Sequence, residues 1–290
     1  MPLKGFKCKK GDVLFKDCLE CGECVPRFLA KSIHNIQSHD YHKGDVITAT
    51  SMLGCLRETY LQREYDYFSA VDSIFYSWRG TLAHTIFETA DLDDWISEER
   101  YEKKLNGITI TGQIDGYDKR LKRLYDIKTI KDGGMNFVIK HGAKNDHILQ
   151  ASIYKWLCPF TVKDAQICYI SMSGYTLTGQ PNTVSTWLKN KPKEGGKYNI
   201  IDVVETGKEN YQKQREFLVT YDTPPLKLLS TKKIEEFMSA KALILNEAFT
   251  KGVTPPRCDE DTRRWKCDKY CSMKERCDEF EKKRKEVKYI

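Results

Sequence analysis

The chain has 290 residues, with 48 lysines and arginines against 41 aspartates and glutamates and a net charge of +7. Its 40% hydrophobic and 11% aromatic content excludes a disordered chain and leaves room for a sizeable core. The positive excess leans toward polyanionic partners, because lysine and arginine gain affinity by displacing phosphate counterions.

No apolar run approaches the roughly 18 residues of a membrane helix, and the opening "MPLKGFKCKKGDVLF" lacks the apolar stretch of a signal peptide. A cytosolic chain with no membrane partner is therefore expected. Eleven cysteines in such a chain argue for metal ligation rather than disulfides. They gather at the two ends, with only Cys55, Cys158 and Cys168 elsewhere.

Residues 1–45 form a segment rich in cysteine and lysine, with little regular periodicity. Cys8, Cys18, Cys21 and Cys24 follow a C-x9-C-x2-C-x2-C spacing, enough thiolates for a small tetrahedral zinc site. Successive C-x2-C steps also suit an iron–sulfur cluster, and a structural staple is the plainer alternative. The neighbouring Lys4, Lys7, Lys9 and Lys10 suit phosphate contacts. A helix is predicted over 51–65, carrying Cys55. The aromatic run "DYFSAVDSIFYSW" reads either as core or as a surface that stacks unpaired bases.

The stretch "SWRGTLAHTIFETADLDDWI" predicts a second helix, with His84 and Glu88 on one face. His84 there is either a ligand or an ordinary structural histidine. Strands are predicted near 98–104, 107–117 and 122–130. A loop, "KDGGMN", then leads into the helix "DHILQASIYKWLCPF", where Gln150 and Tyr154 share a face. They could contact phosphate or a catalytic lysine, or simply pack. Cys158 and Cys168 sit in apolar contexts that suit burial. Two further strands, "AQICYISMSGYTL" and "EFLVTYDT", precede a long helix, "STKKIEEFMSAKALILNEAFTK". The tail, 251–290, holds Cys258, Cys267, Cys271 and Cys277 and ends in a basic run. Strands flanked by helices on either side predict an α/β (α+β) fold, with a core over 46–250.

The hairpin "GQIDGYDKRLKRLYDIKTI" holds the sharpest chemistry. With "KRLK" as its turn, the antiparallel register sets Asp115 opposite Asp126, with Cβ atoms roughly 4.5–5.5 Å apart. Asp126 and Lys128 share a strand face. Two carboxylates that close repel unless a proton or cation lies between them. Mg²⁺ or Mn²⁺ fits, since hard ions bind through one or two carboxylates and complete their shell with water or phosphate oxygens. Lys128 could then orient a water or offset charge on a phosphate. A solvated hairpin is the alternative.

The ordered set Gly80, His84, Glu88; Gly112, Asp115; Asp126, Lys128; Gln150, Tyr154 resembles the RecB-like branch of the PD-(D/E)XK nucleases, over residues 50–277. The resemblance implies a mixed sheet flanked by helices. It also implies a metal held by His84, Asp115, Asp126 and the Ile127 carbonyl, with Lys128 catalytic and Gln150 and Tyr154 assisting near the scissile phosphate.

One cysteine upstream, Cys55, and three downstream, Cys267, Cys271 and Cys277, resemble the iron–sulfur members of this branch. These include the CRISPR-adaptation nucleases and the AddB nuclease domain, where four thiolates hold a [4Fe–4S] cluster. The C-x3-C step between Cys267 and Cys271 departs from the usual C-x2-C, and Cys258 is a spare ligand nearby. The resemblance thus implies an exonuclease on single-stranded DNA, acting in CRISPR adaptation or recombination and repair. An integrase, helicase or recombination partner could supply its substrate. A nuclease-like module that binds DNA without cutting it alone is the alternative.

Overall fold

The computed structural model describes residues 3–8, 10–21, 23, 25, 27–37, 46–87, 89, 92–130, 132–171, 195–206, 214–260, 263–267 and 270–287. The fold is mixed α/β. Its contacts divide it into two compact units, one of Met1–Trp78, Glu102–Thr111 and Glu235–Ile290, the other of Arg79–Tyr101 and Gly112–Ile234. Among the described residues, no helix is long and apolar enough to cross a membrane.

The first unit opens with a hairpin, β1 (Leu3–Cys8) antiparallel to β2 (Gly11–Leu14). Two short helices follow, α1 (Phe15–Cys21) and α2 (Arg27–Gln37). Leu3, Phe6, Phe15, Cys18, Val25, Ala30 and Ile33 close a core with Ile74. Against the expectation of little regular periodicity in 1–45, α2 is strongly amphipathic, and Ala30 and Ile33 on its apolar face enter this core. Next come β3 (Val46–Thr48), α3 (Ala49–Leu53), α4 (Leu56–Glu64) and β4 (Tyr67–Ala70), which pairs parallel with β1. The single helix predicted over 51–65 is thus broken. Gly54 ends α3 with extended backbone, and Cys55 stands at the N-cap of α4 rather than within a helix.

The helix α5 (Val71–Phe87) is followed by β5 (Trp95–Ser97), β6 (Arg100–Leu105) and β7 (Ile108–Gln113). Asn106 and Gly107 both have positive φ, 48° and 82°, the requirement of a two-residue type I′ hairpin turn. Asn106 donates to the carbonyl and hydroxyl of Ser239 (3.1 and 2.6 Å). β7 lies between β3 and β6 in a three-stranded sheet.

The strand predicted over 107–117 breaks at Ile114 and Asp115, and β8 (Gly116–Asp118) then joins a different sheet. There β9 (Arg123–Ile130) runs antiparallel to β8 and parallel to β10 (Asp164–Ser171) over eight residue pairs. The parallel pairing demands a crossover, supplied by α6 (Asp132–His141) and α7 (Asn145–Leu157). β11 (Lys197–Thr206) and β12 (Gln214–Asp222) complete the edge. The six strands stand in the order β11-β12-β10-β9-β8-β5.

The expected loop "KDGGMN" is mostly helix. Its two glycines disfavour helix, yet Met135, Val138 and Ile139 of α6 pack with Ile167, Tyr169 and Tyr221, and that burial outweighs the local cost.

The helix Thr231–Lys251 returns the chain to the first unit. A π-helical turn, Arg263–Cys267, precedes the C-terminal helix Lys274–Val287. The Lys266 carbonyl accepts from both Tyr270 and Cys271 (2.8 and 3.0 Å). The bond from Cys271, five residues on, marks a turn wider than an α-helical one.

Gly112 is a point of close packing in the second unit. A Cβ there would lie 2.7 Å from Leu157 Cδ1 and 2.8 Å from Tyr154 Cε1. Gly112→Ala is expected to overpack this contact at a cost of about 1–3 kcal/mol, read as a lowered midpoint of thermal unfolding; an unchanged midpoint would contradict the tight closure.

Candidate metal centre

His84, Asp115, Asp126, Lys128, Gln150 and Tyr154 all belong to the second unit. α5 carries His84 in its last turn, and β9 carries Asp126 and Lys128. The ladder between β8 and β9 pairs Gly116 with Tyr125, Tyr117 with Leu124 and Asp118 with Arg123. This is the register expected from the turn, and one step further it reaches Asp115 and Asp126. There the ladder has ended, and the Ile127 N–H donates to Asp115 Oδ2 (2.6 Å). The side chain of Asp115 thus replaces a backbone partner, which fixes its carboxylate beside β9.

His84 Nδ1 lies 3.5 Å from Asp115 Oδ1 and 3.2 Å from Glu98 Oε1. Among the described residues, His84, Glu98 and Asp115 are the one group of three or more histidine, cysteine or acidic side chains with ligand atoms within 4.8 Å of one another. Sequence reading missed Glu98. It belongs to none of the quoted motifs, and it sits in the bend between β5 and β6 with φ of 51°. Glu88 lies outside the described residues.

Asp126 is 1% exposed. Its Oδ1 accepts from Lys128 Nζ at 2.9 Å, and its Oδ2 is buried with no partner. Burial pushes the carboxyls of Asp115 and Asp126 above the ordinary carboxylate range. Lys128 opposes this in each case, while the negative charge of Glu98 reinforces it at Asp115 and that of Asp115 reinforces it at Asp126. Burial works against the charge of Lys128, but the two aspartates outweigh it and raise its pKa. The ammonium therefore persists beside carboxylates that are costly to ionise together.

On α7, Gln150 donates to the Tyr154 hydroxyl (2.7 Å), and both residues are buried. Burial, then the charge of Asp126, pushes the Tyr154 hydroxyl up to about 12. His147, one turn before Gln150, belongs to no motif in the sequence. Its Nδ1 is 2.8 Å from the Tyr169 hydroxyl, and burial lowers its pKa against the pull of Asp146 and Asp126. The two motif glycines differ in purpose. Gly112 is sterically required, whereas a Cβ on Gly80 would meet only Thr129 Oγ1, at 3.9 Å.

In the first unit, Cys55, Cys258, Cys267, Cys271 and Cys277 line one small cavity with Arg57, Glu58, Arg257 and Lys274. Cys258 Sγ is 3.8 Å from Cys267 Sγ, and Cys258 also interacts with Cys55. Arg57, 2% exposed, donates to Cys277 Sγ (3.6 Å), to the Pro255 carbonyl (2.7 Å) and to Glu281 (2.6 Å). Lys266 pairs with Glu58 at 2.6 Å. Burial pushes the Cys271 thiol up to about 12, reinforced by Glu58.

At the N-terminus, Cys8, Cys18 and Cys21 line one cleft, and Cys24 lies outside the described residues. Cys18 packs into the hydrophobic core, while Cys21 Sγ accepts from Lys10 (3.7 Å), which also binds Glu23. The three described thiols share a cleft without converging on one point.

No protein-family profile matches the chain, and no curated protein does. Among solved structures it is similar to SSO0001, at 16% identity and a TM-score of 0.47, over 87% of this chain and 95% of that one. It is also similar to a phage-related exonuclease from Haemophilus somnus 129PT, at 14% identity and a TM-score of 0.38, over 73% of this chain and 97% of that one. Likenesses this distant leave any assignment to the chain's own residues.

Proposed function

We propose that the chain is a divalent-metal-dependent deoxyribonuclease of the RecB-like type, an exonuclease on single-stranded DNA. The observation that carries this is the unpartnered, buried Oδ2 of Asp126 beside Asp115, with Lys128 on the same strand face. A buried carboxylate oxygen without a donor is costly, and a cation is the natural complement to two such groups. His84, Asp115 and Asp126, with the Ile127 carbonyl, would hold Mg²⁺ or Mn²⁺. The donor set fits, since carboxylates and one imidazole suit a hard or borderline divalent ion.

When bound, such an ion supplies Lewis-acid chemistry at a phosphodiester. The chain's own groups do the positioning. Asp115 is fixed by the Ile127 N–H, and Lys128 stays charged where negative charge builds on a phosphate. Tyr154, its hydroxyl protonated at neutral pH and oriented by Gln150, offers a donor toward the same region.

In the other unit, Cys55, Cys267, Cys271 and Cys277 are proposed to hold a [4Fe–4S] cluster. The shared cavity and the nearby arginines suit an anionic thiolate centre. Zinc at Cys8, Cys18, Cys21 and Cys24 has less support, given the core position of Cys18. CRISPR adaptation or recombination and repair would supply the DNA ends, with an integrase or helicase as partner.

With Mn²⁺ and end-labelled single-stranded DNA, Asp126→Asn and Lys128→Met are each expected to slow cleavage by about 100-fold or more. Wild-type rates in both would sink the assignment, and tight DNA binding without cleavage by the intact chain would favour a binding module. Mn²⁺ affinity is expected to fall as pH drops from about 7 to about 5, because ions bind the deprotonated carboxylates and burial makes these easier to protonate. A flat profile would count against Asp115 and Asp126 as ligands. Anaerobically purified protein should contain iron and sulfide, and Cys277→Ser should lose both; equal iron in the variant would remove Cys277 from the ligand set.

A further inference from the structure

We propose that Glu98 is a direct ligand of the divalent ion, forming with His84 and Asp115 one face of its coordination shell. This rests on the metal-site reading above. In an octahedral shell with metal–ligand distances of about 2.1 Å, neighbouring ligand atoms stand about 3 Å apart. The 3.2 Å from His84 Nδ1 to Glu98 Oε1 and the 3.5 Å to Asp115 Oδ1 approach that edge length.

Glu98 is prepared for the role by its own neighbours. Its Oε2 accepts from Gln113 Nε2 (2.8 Å), and Gln113 Oε1 in turn accepts from Arg100 (2.6 Å). This chain fixes one carboxylate oxygen and leaves the other directed at His84. The Glu98 side chain is only 13% exposed, so its charge is poorly served by solvent. Independently, Asp126, 1% exposed and close enough for the charge of Asp115 to act on it, has a buried Oδ2 with no partner, which calls for a cation. One imidazole with carboxylates favours Mn²⁺ over Mg²⁺, since imidazole is a softer ligand than Mg²⁺ selects.

The test titrates the metal-free full chain with Mn²⁺, following free Mn²⁺ by electron paramagnetic resonance and bound Mn²⁺ by water-proton relaxation. Glu98→Gln and Glu98→Ala are expected to weaken binding at least tenfold. In Glu98→Ala, relaxation by bound Mn²⁺ should rise as water takes the vacated position. Thermal unfolding of the metal-free variants checks that the fold survives, and Glu98→Gln, being isosteric, keeps the side-chain volume at the bend. If Asp115→Asn weakens binding while Glu98→Ala leaves affinity or relaxation unchanged, Glu98 is no ligand and the site reading stands. If Asp115→Asn and Asp126→Asn also bind like wild type, the site reading itself fails.

Discussion

Asp126 holds a carboxylate inside a sheet with one oxygen on Lys128 and the other on nothing. An unmet buried acceptor costs about 1–3 kcal/mol, and more when charged. The surrounding construction offsets that cost. β9 is locked to β10 over eight residues, and α6 buries Met135, Val138 and Ile139 against the same sheet. α7 brings Tyr154 and Leu157 onto Gly112 so closely that no methyl group fits between. The rigidity that keeps the unmet carboxylate in place also keeps Lys128, Asp115 and Tyr154 at fixed distances from it, as a preorganised site requires.

How far the sequence reveals this depends on whether the deciding interaction is local. The hairpin register is legible because a polar turn between two alternating strands sets it within twenty residues. The D-x-K face follows from the period of two alone. The break at Ile114 and Asp115 is not legible, because it is set by two different sheets that claim the same strand. Glu98 escapes because its place depends on a left-handed bend that carries no glycine to announce it. The helix at "KDGGMN" escapes for the opposite reason: local propensity is plain, and burial against β10 and β12 overrides it.

The cysteines show the same division. Their clustering at the chain ends predicts that thiols gather, and five of them share one cavity. Cys55 reads as mid-helix in the sequence because Gly54 gives only a weak stop signal. Burial raises the pKa of its thiol, and its place at the start of α4 lets the backbone of Glu58 and Arg57 offset only part of that. Arg57, two residues on, reaches Pro255, Cys277 and Glu281, so a single buried guanidinium fastens residues more than 190 positions apart.

The interleaving of the two units carries a further consequence. Each is assembled from separated stretches, and the polypeptide passes between them four times, once in the middle of β7. Neither can be obtained by trimming the chain from its ends. An excised fragment of 112–234 would lack His84 and Glu98, and one of 79–234 would still carry residues 102–111, a ribbon severed from the partners it pairs with. Fragment-based expression of this protein therefore calls for rejoined termini, with 101 spliced to 112 by a short bridge, rather than truncation.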